Sequence, residues 1–152
     1  MNILVSACLL GIQCRYDGTG GACEALAELR DVHHLIPVCP EVYGGLPTPR
    51  IPAERVGDRV VTKDGRDVTE QYEKGAGEAL RLAAYFGCET AILKEKSPAC
   101  GYGRIHDGSF SGRMTDGSGV LAQLLREHGI RVIGDTQTEE IVGLSNDRTS
   151  GR

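Results

Sequence analysis

Short apolar segments alternate with stretches of helical periodicity along this 152-residue chain, and this alternation constrains the fold more than any other feature. Four apolar segments predict strands, at residues 2–7, 34–39, 90–94 and 130–133. Apolar residues at helical spacing predict helices between them, at residues 22–30, 70–86 and 119–128. Such an alternation predicts a doubly wound α/β fold of the Rossmann or flavodoxin type, with a mostly parallel sheet and helices on both faces.

Long loops that contain several glycines follow the first three predicted strands, at residues 8–21, 40–52 and 95–116, and the second of them also holds four prolines. Asp64-Gly65 predicts a hairpin turn, and Asp107-Gly108 predicts a second, smaller hairpin. We expect residues 1–142 to form a single domain and the polar residues 143–152 to form a frayed tail. Loops that follow parallel strands meet at the carboxyl edge of the sheet, where ligands of this fold class bind, so we expect the functional loops there.

The composition excludes several classes of protein. The 17 Lys and Arg residues against 21 Asp and Glu residues give a net charge of −4, which argues against binding to a large nucleic acid. The longest nearly apolar run, residues 3–12, is shorter than the roughly 20 residues that cross a membrane. The N-terminus lacks the basic segment of a signal peptide, so we expect a cytoplasmic protein. In that reducing compartment, the six cysteines point to metal binding or catalysis.

Three cysteines follow three different predicted strands. Cys8 comes directly after the first strand, Cys39 closes the second, and Cys100 lies in the loop after the third. A parallel sheet brings these loops to one edge, so the three thiols should converge there. Three thiolates can bind a soft metal or an iron–sulfur cluster. The alternative is that each is an ordinary buried cysteine.

The other three cysteines have less distinctive positions. Cys14 shares a loop with Cys8 and could be a fourth ligand, a neighbour of the ligands or a resolving thiol. Cys23 lies in the first predicted helix and Cys88 follows the end of the next, so we expect both to pack in the interior, away from the edge.

Four polar side chains are candidates for chemistry beside the cysteines. Glu41 could serve as a general acid or base, or it could be a solvated charge or a partner for Arg50. Ser97 could direct its hydroxyl at a ligand, or it could form a Ser-Pro turn. Asp17 and Asp107 are either turn residues or contacts to the substrate.

Five motifs resemble the thiouracil desulfidases, a family of small bacterial iron–sulfur proteins. They cover most of residues 2–133 and read VSACLLG (5–11), CRYDG (14–18), PVCPEVYGGLPTPR (37–50), AILKEKSPACG (91–101) and DGSFSG (107–112). The last cysteine motif departs from the family pattern at Ala99, where a second serine is usual. We expect this change to affect hydrogen bonding around the cluster more than the cysteine itself.

The resemblance implies a [4Fe–4S] cluster with three ligands, Cys8, Cys39 and Cys100, and one iron left open for the sulfur of a substrate. It also implies that Glu41 is the acid or base and that Ser97 supplies a hydroxyl. The implied reaction is non-redox: water activated by Glu41 attacks the thiocarbonyl carbon of a thiolated pyrimidine, and sulfide is released. The implied partner is a small thiolated nucleobase or nucleotide.

Two other classes of function remain open to the sequence. A non-catalytic iron–sulfur or sulfur-carrier module would bind a cluster without any activity that depends on Glu41. A metal-free α/β domain that binds a small anion or a nucleobase would be colourless even when purified without oxygen. The convergence of the cysteines disfavours the second class, whereas only the family resemblance disfavours the first.

Overall fold

The computed structural model describes residues 1–146, and its centre is a parallel sheet of four strands. These strands are β1 (Asn2–Ser6), β2 (His34–Val38), β5 (Thr90–Leu93) and β8 (Arg131–Gly134). Two antiparallel hairpins lie outside the sheet, formed by β3 (Ala53–Val56) with β4 (Arg59–Thr62) and by β6 (Arg104–His106) with β7 (Met114–Asp116). The α-helices are α1 (Pro40–Tyr43), α2 (Thr69–Tyr85), α3 (Val120–Glu127) and α4 (Thr138–Ser145).

The order of the central sheet is β2–β1–β5–β8, and every pair in it is parallel. The chain passes from β1 outward to β2 and then crosses to the other side of β1, where it forms β5 and β8. The order therefore reverses between β1 and β5, which is the point where doubly wound sheets bind their ligands. The predicted fold class is confirmed.

The sheet is buried on both faces because its strands are apolar on both sides. Successive side chains of β1 point to opposite faces: Leu4 packs with the core beneath α2 and α3, whereas Ile3 and Val5 pack with the core on the other face. The second core also contains Leu144 of α4. Because helices cover both faces of the sheet, the carboxyl edge is the part that the long loops occupy.

Residues 22–30 differ from the prediction of a helix. They form two short 3₁₀ turns, Glu24–Leu26 and Leu29–Asp31, whose Leu26 and Leu29 are buried. The backbone N–H groups of Gly21 and Cys23 donate to carbonyls of the turn that follows β1, at 3.0 and 2.8 Å. These bonds tie the segment to that turn, so its N-terminal residues do not begin a helix of their own.

The predicted turn at Asp64-Gly65 forms, but the hairpin around it is short. Gly65 has a φ of +89°, and the only ladder contact beyond the turn among the described residues is the bridge between Val61 and Asp67. The chain enters α2 at Thr69, which leaves no length for a second strand. β4 pairs instead with β3, which the sequence prediction missed. The small hairpin predicted around Asp107-Gly108 is present as β6 and β7.

The end of the described chain is helical. Residues 143–145, assigned from sequence to a polar tail, belong to α4, and Leu144 is buried. The remainder of that predicted tail, residues 147–152, lies outside the described residues. Over residues 1–146, no helix has the length and apolar character needed to cross a membrane.

Candidate functional site

A cavity of about 410 Å³ opens at the carboxyl edge of the sheet, where the loops after β1, β2 and β5 meet. Its volume lies within the usual range for pockets that bind small molecules. Four of the six cysteines line it: Cys8, Cys14, Cys39 and Cys100. The convergence expected from the strand order is therefore present in the fold.

A different local structure holds each of the three strand-end cysteines. Cys8 lies in a 3₁₀ turn, Ala7–Leu10, that begins directly after β1. Cys39 is the N-cap of α1, and Pro40 follows at the first helical position, where proline's fixed φ favours the helix. Cys100 lies in a turn after β5, in which its backbone N–H donates to Oγ of Ser97 at 2.7 Å.

The thiols influence one another electrostatically. Burial is the main cause that raises the pKa of Cys8 and that of Cys100, and the neighbouring cysteines raise both further. Burial and the adjacent Cys39 together raise the pKa of Cys14 to about 12. The hydroxyl of Ser6 partly offsets the shift at Cys100 through a hydrogen bond. The four cysteines line the same cavity.

The spacing of the ligating side chains differs between a site for one metal ion and a site for a cluster. Within residues 1–146, no three His, Cys, Asp or Glu side chains are close enough together to ligate one ion. A lone zinc ion needs all its thiolates at about 2.3 Å from one point. A multi-iron cluster binds each thiolate through a different iron, so it suits thiols that surround a larger cavity.

Glu41 lies on the cavity wall within a network of hydrogen bonds. Its Oε1 accepts from Nε of Arg50 at 3.1 Å and from the hydroxyl of Tyr72 at 2.6 Å. The guanidinium of Arg50 also donates to the carbonyl of Cys14 at 2.9 Å. The sequence prediction that Glu41 could pair with Arg50 is correct, and the pair is part of the cavity.

Ser97 also lines the cavity, and its oxygen is committed to the turn that carries Cys100. The turn role considered from sequence is therefore present. Because a hydroxyl both accepts and donates, its proton remains able to reach a ligand. Ser6 links the same loops, since its Oγ accepts from the backbone N–H of Lys94 at 2.9 Å.

Three further cavity residues escaped the sequence analysis. Tyr72 has helical spacing with Ala76, which marks it as a core residue and gives no sign of its hydroxyl's partner. Glu54 is buried and accepts from the backbone N–H groups of Gly108 and residue 110, so it fastens the β6–β7 hairpin over the cavity. His106 lines the cavity too, and its buried Nδ1 has no hydrogen-bond partner within the described chain. No motif signals either residue.

Two predicted substrate contacts lie outside the cavity wall. Asp17 is exposed and accepts from the N–H and hydroxyl of Thr19, while Asp107 accepts from the N–H and hydroxyl of Ser109. These hydrogen bonds lower the pKa of both carboxyl groups. The pattern is typical of turn residues, which is the second role that the sequence allowed.

The two cysteines expected in the interior lie away from the cavity. Cys88 is buried in the core beneath α2 and α3. Cys23 departs from the expected interior packing: it is half-buried, and its thiol lies 3.9 Å from the carbonyl oxygen of Asp135, the residue that directly follows β8.

Comparison with known proteins decides the family of this chain. Residues 3–137 match the 2-thiouracil desulfurase family. This chain belongs to that family. A similar protein is the uncharacterized protein YbbK of Bacillus subtilis (strain 168), which is 44% identical over 150 residues, covering 92% of this chain and 99% of YbbK.

A solved structure is similar to this chain over nearly its whole length. It is that of the [4Fe-4S]-dependent thiouracil desulfidase TudS, which is 46% identical in sequence and superposes with a TM-score of 0.86. The match covers 95% of this chain and 98% of TudS. Family membership and the fold therefore agree with the resemblance that the five motifs carry.

Proposed function

We propose that this chain is a [4Fe–4S]-dependent desulfidase that converts the thiocarbonyl of a thiolated pyrimidine and water into a carbonyl and hydrogen sulfide. The observation that carries the proposal is the meeting of Cys8, Cys39 and Cys100 at one cavity, in a chain of the 2-thiouracil desulfurase family. Similarity to the [4Fe-4S]-dependent TudS supports both the cofactor and the reaction.

The residues at the cavity fit such a cluster. Thiols are the donors that iron–sulfur clusters require, and those of Cys8, Cys39 and Cys100 come from three separate loops around one space. The charges of Arg15 and Lys94 act in favour of the Cys8 thiolate, which offsets part of the effect of burial. We propose these three cysteines as the ligands and Cys14 as a neighbour that does not bind iron.

The side chains that line the cavity have separate roles in the proposed reaction. When bound, the cluster supplies an iron with an open position that acts as a Lewis acid toward the thiocarbonyl sulfur. Glu41 takes a proton from the attacking water, and Arg50 holds its carboxylate in place at 3.1 Å. The hydroxyl of Ser97 donates to the substrate while its oxygen keeps the turn of Cys100 closed.

The substrate in this proposal is a small thiolated pyrimidine, as a free base or a nucleotide. The cavity volume of about 410 Å³ suits a molecule of that size. We also propose a cytoplasmic location, because all six cysteines are free thiols, as is usual in a reducing compartment.

Sulfide release from 2- and 4-thiouracil by the anaerobically reconstituted protein tests the proposal. We expect Glu41→Gln to retain its iron and lose about 10²–10⁴-fold in turnover, the usual contribution of a positioned general base. Glu73→Gln is the matched control, because Glu73 is exposed on α2, and it should match the wild type.

Two outcomes would contradict the proposal in different ways. A wild-type protein that holds its cluster but releases no sulfide from either thiouracil would favour a carrier or sensing module. A fully active Glu41→Gln variant would leave the reaction in place and remove Glu41 as its base.

A further inference from the structure

Helix α1, which carries Glu41, lies directly against the backbone of α2. A side chain at Gly75 would place its Cβ 1.6 Å from the carbonyl oxygen of Pro40, and a Cβ at Gly44 would lie 2.0 Å from the carbonyl oxygen of Gln71. Only glycine allows this approach. Tyr72 precedes Gly75 by three residues, so the two share one face of α2, and the contact brings the hydroxyl of Tyr72 to Glu41.

The hydroxyl of Tyr72 donates to Oε1 of Glu41 at 2.6 Å. Tyr72 is 1% exposed and packs in the core beneath α2. Burial and the nearby Glu41 raise the pKa of Tyr72 far above its ordinary value, so the phenol stays protonated and donates. A buried hydroxyl needs a partner, and the carboxylate provides it.

Arg50 donates to the same oxygen from another direction. Its Nε lies 3.1 Å from Oε1, and its remaining nitrogens donate to the carbonyls of Pro47 and Cys14 and to the hydroxyl of Thr48. The guanidinium is thus held at four points and is 6% exposed. Within residues 1–146, Oε2 of Glu41 accepts no hydrogen bond, although the side chain is 16% exposed at the cavity.

We propose that Tyr72 is a positioning residue for Glu41: with Arg50 it occupies Oε1 and thereby leaves Oε2 to take the proton of the attacking water. The inference rests on the proposed function for the identity of the reaction. Two donors from fixed directions set the plane of the carboxylate, which otherwise rotates freely about its last torsion. Charge-assisted hydrogen bonds of this kind are the strong ones.

The variant Tyr72→Phe keeps the ring in the core and removes only the hydroxyl. We expect its iron content to equal that of the wild type, its KM for thiouracil to stay within about twofold, and its kcat to fall about tenfold, as loss of a hydrogen bond to a charged group implies. Tyr43→Phe is the matched control, since within residues 1–146 the Tyr43 hydroxyl donates to the carbonyl of Pro37 alone, at 3.3 Å. It should leave kcat unchanged.

Two readouts separate positioning from packing. In the Glu41→Gln background, Tyr72→Phe should change kcat by less than about twofold, because residues that act as a unit are not additive. In the substrate-free reconstituted protein, the infrared carboxylate band that disappears in Glu41→Gln should shift in Tyr72→Phe and remain in place in Tyr43→Phe.

The inference and the proposed function can fail separately. An unshifted carboxylate band, or an equal loss of kcat with and without Glu41, would overturn the role of Tyr72 while sulfide release by the wild type stands. A wild-type protein that releases no sulfide would overturn the proposed function, and the infrared band alone would then decide whether Tyr72 holds Glu41.

Discussion

The hydroxyl group of Ser97 has both a structural role at the site and a role in the proposed reaction. Its oxygen accepts from the N–H of Cys100 at 2.7 Å, and Cys100 is buried, so this bond fixes a proposed cluster ligand. Without the bond, a buried N–H lacks a partner, which costs about 1–3 kcal/mol. The effect of a substitution at Ser97 must therefore be divided between the retention of iron and the reaction.

We expect Ser97→Ala to hold less iron than the wild type after identical reconstitution. Sulfide release per bound iron should also fall about tenfold, since a hydrogen bond to the substrate is lost. Ser97→Thr, which keeps the hydroxyl, is the control and should retain its iron. Iron analysis and sulfide assays on the same samples measure both effects. Normal turnover per iron in Ser97→Ala would restrict the hydroxyl to a role in the turn.

Sequence reasoning at the residue scale succeeds for groups whose position follows from the strand order. Cys8 and Cys39 were predicted at the edge because they border predicted parallel strands, and both line the cavity. Tyr72 could not be found this way, because its partner Glu41 is 31 residues away and belongs to a different element. Helical periodicity reports that a side chain is buried and carries no information about its hydroxyl.

At the scale of elements, the contact between α1 and α2 controls the position of Glu41. Its closest point is Gly75, where a Cβ would meet the backbone of Pro40, which has no flexible side chain that could move aside. Gly77 lies in the same helix with nothing within 4 Å of its Cβ position. The two glycines therefore form a matched pair of sites.

We expect opposite effects from alanine at these two glycines. Gly75→Ala should destabilise the protein by about 1–3 kcal/mol, the usual cost of overpacking, and should lower turnover because α1 moves with Glu41. Gly77→Ala should stabilise it by about 0.5–1 kcal/mol, because alanine favours a helix over glycine. Urea unfolding of both variants measures the difference. Equal stability of the two would mean that α1 is not seated on α2 as described.

The secondary structure shows where local patterns stop being informative. The four central strands were predicted within one or two residues because each is a short, mostly apolar run, and β1 and β5 in the middle of the sheet are almost wholly buried. The 3₁₀ turns at residues 24–31 were predicted as a helix, because their spacing is helical while their tertiary hydrogen bonds are invisible in sequence. β3 was missed because Pro52 and its neighbours indicate an irregular loop.

At the scale of the whole molecule, the cavity joins three loops that lie far apart in sequence. We expect Cys8→Ser, Cys39→Ser and Cys100→Ser each to lose most of the iron and the absorbance near roughly 400 nm that thiolate-ligated iron–sulfur clusters give. Cys23→Ser and Cys88→Ser lie away from the cavity and should retain both. Cys14→Ser should also retain iron, because Cys14 lines the cavity without following a strand of the sheet. Loss of iron in Cys23→Ser alone would mean that the ligands are wrongly assigned.

A cluster held by these loops should stabilise the entire fold. A group that binds only the folded protein adds about 2.7 kcal/mol at a hundredfold excess over its Kd. In a chain of this length, each 1 kcal/mol raises Tm by about 2–4 °C, so the reconstituted protein should melt at least about 5 °C above the iron-free protein. Anaerobic thermal unfolding followed by circular dichroism gives the comparison. Cys39→Ser should lose the increase in Tm, and Cys88→Ser should keep it. Zinc without sulfide should produce a smaller increase, because no three His, Cys, Asp or Glu side chains in residues 1–146 are arranged to ligate a single ion. An equal increase with zinc would show that these thiols can close around a single metal ion, and the increase in Tm would then not identify a cluster.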